Sequence, residues 1–157
     1  MRYWLLKSEP ETYSWTDLKS QPNQTDIWDG VRNYQARNFL RDMRINDLAF
    51  FYHSVVRPQA IVGIVRIVRE AYPDPTQFDP QSPYYDPKSD PDQPRWVAVD
   101  VQAVQDVLPP ITRDELKSIP ELEDMPLLRK GNRLSVQPVT PQQWQRILAL
   151  RNIPELS

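Results

Sequence analysis

Residues 60–68 read AIVGIVRIV, a run rich in β-branched side chains that is typical of a buried strand. Gly63 within it indicates a bulge or a bend. Four other apolar stretches have strand character: residues 2–7 (RYWLLK), 48–52 (LAFFY), 96–104 (WVAVDVQAV) and 133–137 (RLSVQ). Short strands that do not alternate with long helices argue against a doubly wound sheet. Five such strands, mixed with short helices, predict an α+β fold built on a small curved sheet or barrel.

Helix-start signals lie between these strands. Ser14 with Asp17, and Thr112 with Glu115, have the spacing of capping boxes that open short helices. Asn33 precedes a helical face of Ala36, Phe39, Leu40 and Met43. Thr140, followed by Pro141 and Gln143, opens a terminal helix that is expected to bury Trp144, Ile147 and Leu148.

Residues 73–94 differ in composition from the rest of the chain, since seven of these 22 residues are proline and five are aspartate. Proline lacks the donor that a strand ladder needs, so this stretch is predicted to be a loop. Tyr84 and Tyr85 within it favour a loop that lies on the body of the protein. The length of 157 residues fits one domain spanning residues 1–157.

Composition excludes several classes of protein. The absence of cysteine removes disulfides, thiolate zinc sites and cysteine nucleophiles. A single histidine, His53, and three scattered glycines leave no poly-histidine metal centre and no glycine-rich phosphate loop, so no metal and no cofactor are expected. No apolar run approaches the roughly 20 residues of a membrane span. The N-terminus lacks signal-peptide features, so a cytoplasmic protein is expected. No heptad pattern or exposed apolar stripe stands out, so a monomer is expected.

The net charge is −2, from 19 basic and 21 acidic residues, but it is unevenly distributed. Residues 1–72 carry a net +2, residues 73–124 a net −8 and residues 125–157 a net +4. Arginine outnumbers lysine 14 to 5, which suits two-point contacts with phosphate or carboxylate groups. Two interpretations stay open: ordinary surface charge, or a basic face formed by the two ends of the chain.

Four short clusters could carry chemistry: residues 7–10 (KSEP), 28–33 (WDGVRN), 52–54 (YHS) and 129–135 (RKGNRLS). The second is an aromatic residue and a turn that enter a helix, whose first N–H groups attract acceptors and anions. Each cluster also has a structural interpretation. Trp28 could be a core tryptophan or a surface on which a base stacks. His53 could be a structural histidine or a functional one.

Two other functions remain open at this point. An enzyme acting on a nucleotide could use His53 with Glu9 or Ser8, although no nucleophile motif is present. A small-ligand or partner-binding protein is the other alternative, and the acidic middle segment is its best support.

Several motifs in order resemble one known family. They are residues 3–10 (YWLLKSEP), 28–38 (WDGVRNYQARN), 51–54 (FYHS), 95–100 (RWVAVD) and 133–138 (RLSVQP). Together they are similar to the EVE domain, and the similarity runs over about residues 2–150. The resemblance implies a PUA-like fold related to YTH domains: a small curved β-barrel of about five to six mostly antiparallel strands, flanked by short helices. This chain resembles the stand-alone form found in prokaryotes.

The resemblance also implies a function. Members of this family are thought to read a modified base in DNA or RNA, without catalysis, by capturing it in an aromatic-walled pocket. Mapped onto this chain, the pocket would draw on Ser8, Trp28, Val31, Arg32, Asn33, Tyr52, His53, Ser54, Arg133 and Ser135. Flanking phosphates would meet Lys7, Arg37, Arg41 and Lys130.

Overall fold

The computed structural model describes residues 1–156. Six strands form one sheet: β1 (Tyr3–Ser8), β2 (Thr25–Trp28), β3 (Leu48–His53), β4 (Ala60–Pro73), β5 (Val97–Thr112) and β6 (Val136–Val139). Four α-helices accompany it: α1 (Trp15–Lys19), α2 (Tyr34–Asp42), α3 (Arg113–Lys117) and α4 (Pro141–Ala149). Short 3-10 helices lie at Pro22–Gln24, Pro75–Phe78, Pro120–Leu122 and Pro126–Leu128.

The strand order is β2-β5-β4-β3-β1-β6. All neighbouring strands are antiparallel except β1 and β3, which pair in parallel from Tyr3 opposite Leu48 to Ser8 opposite His53. The α+β class and the mostly antiparallel sheet are therefore confirmed. Within residues 1–156 the two edge strands, β2 and β6, do not pair with each other, so the curved sheet is not closed into a hydrogen-bonded barrel.

The curvature shows in the inner apolar cluster, which receives side chains from all six strands. One member from each strand illustrates this: Leu6, Trp28, Phe51, Val65, Val99 and Val136. Helices α1 and α2 complete this inner cluster. A second, outer cluster on the opposite face of the sheet is covered by α3, α4 and the segment between α3 and β6.

The capping signals place the helices as expected. Ser14 and Asp17 form a full capping box on α1, and Thr140 and Gln143 form one on α4. The Asn33 side chain caps α2 by accepting the N–H of Ala36. Thr112 accepts the N–H of Glu115 at the start of α3. The expected buried faces are confirmed, with Ala36, Leu40 and Met43 fully buried on α2, Phe39 partly buried beside them, and Trp144, Ile147 and Leu148 buried on α4.

Gly63 lies at a break in strand register, because β4 shifts against β5 between Ile61 and Gly63. A Cβ atom on Gly63 would lie 2.3 Å from Cζ2 of Trp15. The glycine therefore lets α1 pack its tryptophan directly on the strand. The bulge predicted from the sequence is confirmed.

Three strands differ from the prediction. β2 was not predicted, because TDIW is too short to show a clear two-residue alternation. β4 and β5 extend further than expected, forming a long ribbon that reaches Pro73 and Thr112. The last strand begins at Val136 rather than Arg133, since residues 129–133 form an exposed turn.

The proline-rich segment is a loop that lies on the body of the protein, as predicted. Asp74 and Gln77 are completely buried within it. The Gln77 side chain donates to the carbonyls of Asp74 and Trp96 and accepts the N–H of Trp96, which ties the loop to the start of β5.

Candidate functional site

A cavity of about 650 Å³ opens where β1 ends, beside the edge strand β2. Its walls come from the segment after β1, from β2 and the turn into α2, from the proline-rich loop and from the segment that leads into β6. The lining residues are Lys7, Ser8, Glu9, Thr12, Tyr13, Asp26, Ile27, Trp28, Asp29, Gly30, Val31, Arg32, Asn33, Tyr84 and Ser135.

The free edge of β2 borders this cavity. β2 is an edge strand of the sheet, and its residues Asp26, Ile27 and Trp28 line the cavity. The Ile27 N–H donates to Oδ1 of Asp26 at 2.8 Å, which fixes that carboxylate at the edge.

Trp28 belongs to both the core and the cavity. Its side chain is 8% exposed, and its ring meets that of Phe51 edge-on, with the ring centroids 5.4 Å apart. Val31, 6% exposed, is a second apolar lining residue. Trp28 is therefore a core residue that also lines the cavity.

The turn between Trp28 and α2 requires glycine. Gly30 has φ +78°, and a Cβ atom on it would lie 2.7 Å from Cζ of Tyr84. The Tyr84 ring therefore lies directly on the turn and closes one side of the cavity.

One side of the cavity is acidic. The Tyr13 hydroxyl donates to Oδ2 of Asp26 at 2.6 Å, and burial together with that carboxylate raises the pKa of Tyr13. Asp29 is half-buried, and its pKa is raised first by burial and then by the carboxylates of Asp74 and Asp26. This side offers acceptors to a ligand that carries N–H donors.

Arg32 links the turn before α2 to the proline-rich loop through hydrogen bonds and an ion pair. Its Nη1 contacts Oδ2 of Asp74 at 3.0 Å and the Val31 carbonyl, while Nε and Nη2 donate to the Tyr84 carbonyl and Nη2 also donates to Thr76. These contacts use all five guanidinium donors. Arg32 lines the cavity, but its donors are bonded to protein groups and hold the wall in position.

The predicted residues of the third cluster lie behind the cavity rather than in its lining. The Tyr52 hydroxyl points into the outer cluster and donates to Gln59 at 2.8 Å, and burial raises the pKa of Tyr52 to about 12. His53 accepts the N–H of Trp15 at Nε2, 3.1 Å away. Ser54 donates its N–H to the Ser8 carbonyl at 2.9 Å, so it holds the end of β1 in place.

The predicted phosphate-contacting cations differ in position and in their contacts. Lys7 lines it and is half-buried, and burial followed by the charge of Arg113 lowers the pKa of Lys7. Arg37 on α2 lies over the Tyr34 ring, 4.7 Å from its centroid. The salt bridges within residues 1–156 involve other cations, so Arg41, Lys130 and Arg133 are exposed without a carboxylate partner. Arg133 does not line the cavity, but Ser135 does.

Sequence reasoning missed Tyr13, Asp26 and Tyr84. Asp26 belongs to the strand that was not predicted, and Tyr84 is brought to the turn from more than 50 positions away. The one available signal was the pair of tyrosines in the proline-rich loop.

Within the described residues, no three His, Cys, Asp or Glu side chains are grouped so that they could hold a metal ion. In the same part of the chain, no helix has the length and apolar character needed to cross a membrane.

The EVE domain profile matches residues 2–150 of the chain. The chain belongs to the EVE domain family. Its curved six-stranded sheet with flanking helices is therefore a PUA-like α+β fold. Mouse thymocyte nuclear protein 1 is 49% identical over an alignment of 165 positions. The alignment covers 94% of this chain and 73% of the mouse protein.

Several solved protein structures are closely similar to this chain. A protein from Pseudomonas syringae is 50% identical, with a TM-score of 0.91, over 95% of this chain and 99% of its own. The human THYN1 protein in complex with DNA containing 5-methylcytosine is 45% identical, with a TM-score of 0.92, over 99% of this chain and 100% of its own.

Proposed function

We propose that this EVE domain is a non-catalytic nucleic-acid-binding module that captures a modified base of DNA in the cavity beside β2. The observation that carries the proposal is the cavity itself. It combines an aromatic wall at Trp28 with hydroxyl, amide and carboxylate groups, and its volume of about 650 Å³ lies in the range of small-molecule sites. The human THYN1 complex with 5-methylcytosine DNA supports the choice of ligand.

The arrangement of charge supports the same function. The inside of the cavity is acidic and polar, whereas unpaired cations lie outside it on α2 and in the turn before β6. Asn33 at the start of α2 and Ser135 ahead of β6 both line the cavity, so these two basic segments lead away from its walls. A base inside the cavity would have its flanking phosphates near Arg37, Arg41, Lys130 and Arg133, which position the strand without reading it.

Removing a base from its stack costs a few kcal/mol, and stacking on one aromatic surface returns about 1–3 kcal/mol. Hydrogen bonds to the base must therefore supply the remaining free energy of binding. Ser8, Asn33 and Ser135 lie among the lining residues and have the polar side chains for this role. Val31 offers a small apolar surface to an added methyl group.

The contacts of His53 favour binding over catalysis. Its Nε2 is occupied by the Trp15 N–H, and its side chain does not line the cavity. A proton carrier needs a free nitrogen within hydrogen-bond reach of the substrate.

The test is to fill the cavity without removing any core contact. The Ser135→Phe variant places a ring at the cavity wall, and Ser118→Phe, on the exposed end of α3, is the matched control. Fluorescence anisotropy is measured with short single- and double-stranded DNA that carries cytosine, 5-methylcytosine, 5-hydroxymethylcytosine or N6-methyladenine, and with the RNA counterparts.

We expect one modified base to bind at least tenfold more tightly than its unmodified form, and Ser135→Phe to abolish that preference while Ser118→Phe retains it. Equal affinity for modified and unmodified strands in the parent protein would overturn the proposal. Retention of the preference in Ser135→Phe would exclude this cavity as the site.

A further inference from the structure

Asp29 is a half-buried carboxylate of the cavity wall whose hydrogen-bond contact within the described residues is with its own backbone N–H. Both oxygens of Asp26 are engaged, by the Tyr13 hydroxyl and the Ile27 N–H. Asp74, beneath the turn, is completely buried and bonds to Gly30, Arg32 and Thr76. No hydrogen bond from another residue reaches the Asp29 side chain within residues 1–156, and Glu9, the remaining carboxylate, is exposed at the mouth.

Asp29 also has a fixed position in the cavity. It lies between Trp28, whose ring is packed on Phe51, and Gly30, whose N–H is bonded to Asp74 at 2.8 Å. A carboxyl group beside an aromatic wall is placed to meet the edge of a base whose face contacts that wall. The backbone on both sides of Asp29 is therefore held before any ligand arrives, which lowers the cost of binding.

We propose that Asp29 determines base specificity by pairing with the Watson–Crick edge of a base that carries an exocyclic amino group, with one proton shared between the two. This inference rests on the proposed function. One carboxyl oxygen accepts the amino N–H of a cytosine- or adenine-type base. The other oxygen and the adjacent ring nitrogen share a single proton, which lies on one or the other. Without that proton, a lone pair on the carboxylate oxygen would face the lone pair on the ring nitrogen, and the two would repel each other.

The charges around Asp29 favour this shared proton. Burial is the first cause that raises the pKa of Asp29, followed by the negative charges of Asp74, just after β4, and Asp26 on β2. A hydrogen bond from its own backbone N–H and the charge of Arg32 lower the pKa. The hydroxyls of Tyr13 and Tyr72 are neutral, because their pKa values are raised. A proton taken up on binding thus relieves repulsion among carboxylates.

The inference predicts a specific pH dependence. In the pH range where both the carboxyl and the ring nitrogen lack the proton in the free state, binding takes up one. Affinity should then fall about tenfold for each pH unit across that range. Binding of the preferred amino-bearing oligonucleotide, 5-methylcytosine DNA in the first instance, is measured from pH 5.5 to 8.5 at constant ionic strength.

Three variants distinguish the possible causes. Asp29→Asn supplies an acceptor and a donor that do not titrate, so its affinity should be nearly independent of pH. Asp29→Leu supplies neither and should bind at least tenfold more weakly at every pH. His53→Gln, behind the cavity, should keep the pH slope of the parent and so exclude His53 as its source.

The outcomes separate the two proposals. A flat pH profile in the parent protein, or a slope that survives in Asp29→Asn, overturns the role of Asp29 while the cavity remains the binding site. Absence of saturable binding by the parent to every oligonucleotide overturns the proposed function and this inference together.

Discussion

Trp28 illustrates how one side chain serves the core and the site. Its indole is a member of the inner cluster, so Trp28→Ala would remove a buried ring at a cost of about 3–5 kcal/mol. A loss of binding in that variant would not separate a damaged fold from a damaged site. Substitutions at Ser135 and Asp29 are cleaner, because neither side chain belongs to an apolar cluster.

His53 is expected to make stability pH-dependent. It must be unprotonated at Nε2 to accept the N–H of Trp15, and burial lowers its pKa below the usual 6.5. The unfolded state therefore binds this proton more readily than the folded state. The stabilising contribution is complete above about pH 6.5 and is lost as the pH falls through the lowered folded-state pKa.

Thermal unfolding of the parent and His53→Gln, followed by circular dichroism between pH 7.5 and 5, checks this expectation. The glutamine side chain has an oxygen that can accept the same N–H without titrating. The unfolding temperature of the parent should fall more steeply with acid than that of the variant. Parallel curves would show that His53 does not contribute.

At the scale of elements, the proline-rich loop is held to the turn before α2 by the Arg32–Asp74 pair. The Asp74 carboxylate has no exposure, and the Arg32 side chain is 22% exposed. Loss of one partner from such a pair leaves the other charge uncompensated, at a cost of about 3–5 kcal/mol. The loop carries Tyr84, so the same pair fixes one wall of the cavity.

The expected result is that Asp74→Ala lowers the free energy of unfolding by about 3–5 kcal/mol, because Arg32, Gly30 and Thr76 all lose their acceptor. Urea unfolding monitored by tryptophan fluorescence measures the loss. Asp92→Ala, at an exposed position of the same loop, is the control and should change stability by less than about 0.5 kcal/mol. Similar losses of unfolding free energy in both variants would contradict a specific role for the Arg32–Asp74 pair.

At the scale of the whole molecule, a net charge of −2 conceals an uneven arrangement. Acidic groups line the cavity, whereas Arg41, Lys130 and Arg133 are exposed without a carboxylate partner within residues 1–156. Part of the carboxylate-rich middle of the chain is paired, since the buried Asp74 bonds to Arg32 and the partly exposed Asp106 bonds to Lys19. The basic turn at residues 129–133 remains exposed.

Binding to DNA is therefore expected to depend on salt through a few phosphate contacts. In a plot of the logarithm of affinity against the logarithm of salt concentration, each contact contributes a slope of about −0.9. Arg41→Ala and Lys130→Ala should each make the slope shallower by about 1 and weaken modified and unmodified strands alike. Lys117→Ala on α3, which packs on the outer cluster, is the control and should leave the slope unchanged; an equal effect there would show that the contacts are not localised.

Much of the architecture follows from local signals in the sequence. The strand at residues 60–68, the capping residues Ser14, Asn33 and Thr140, and the glycine bulge at Gly63 are all present in the structure. These features depend on neighbouring residues, because periodicity and caps act over a few positions. Ser8, Trp28, Val31, Asn33 and Ser135, which the family resemblance assigns to a base pocket, all line one cavity, and their role in binding a base stays a prediction.

The tertiary structure alone decided what surrounds those residues. The sequence predicted neither β2 nor the Tyr13–Asp26 bond, and it placed Tyr52 and His53 in the pocket although the fold turns them behind it. The sequence also did not indicate that Arg32 would donate hydrogen bonds to the Tyr84 carbonyl of the proline-rich loop. The physical reason is range: a cap or a strand is stabilised by near neighbours, whereas a cavity wall and its charges depend on contacts between residues tens of positions apart.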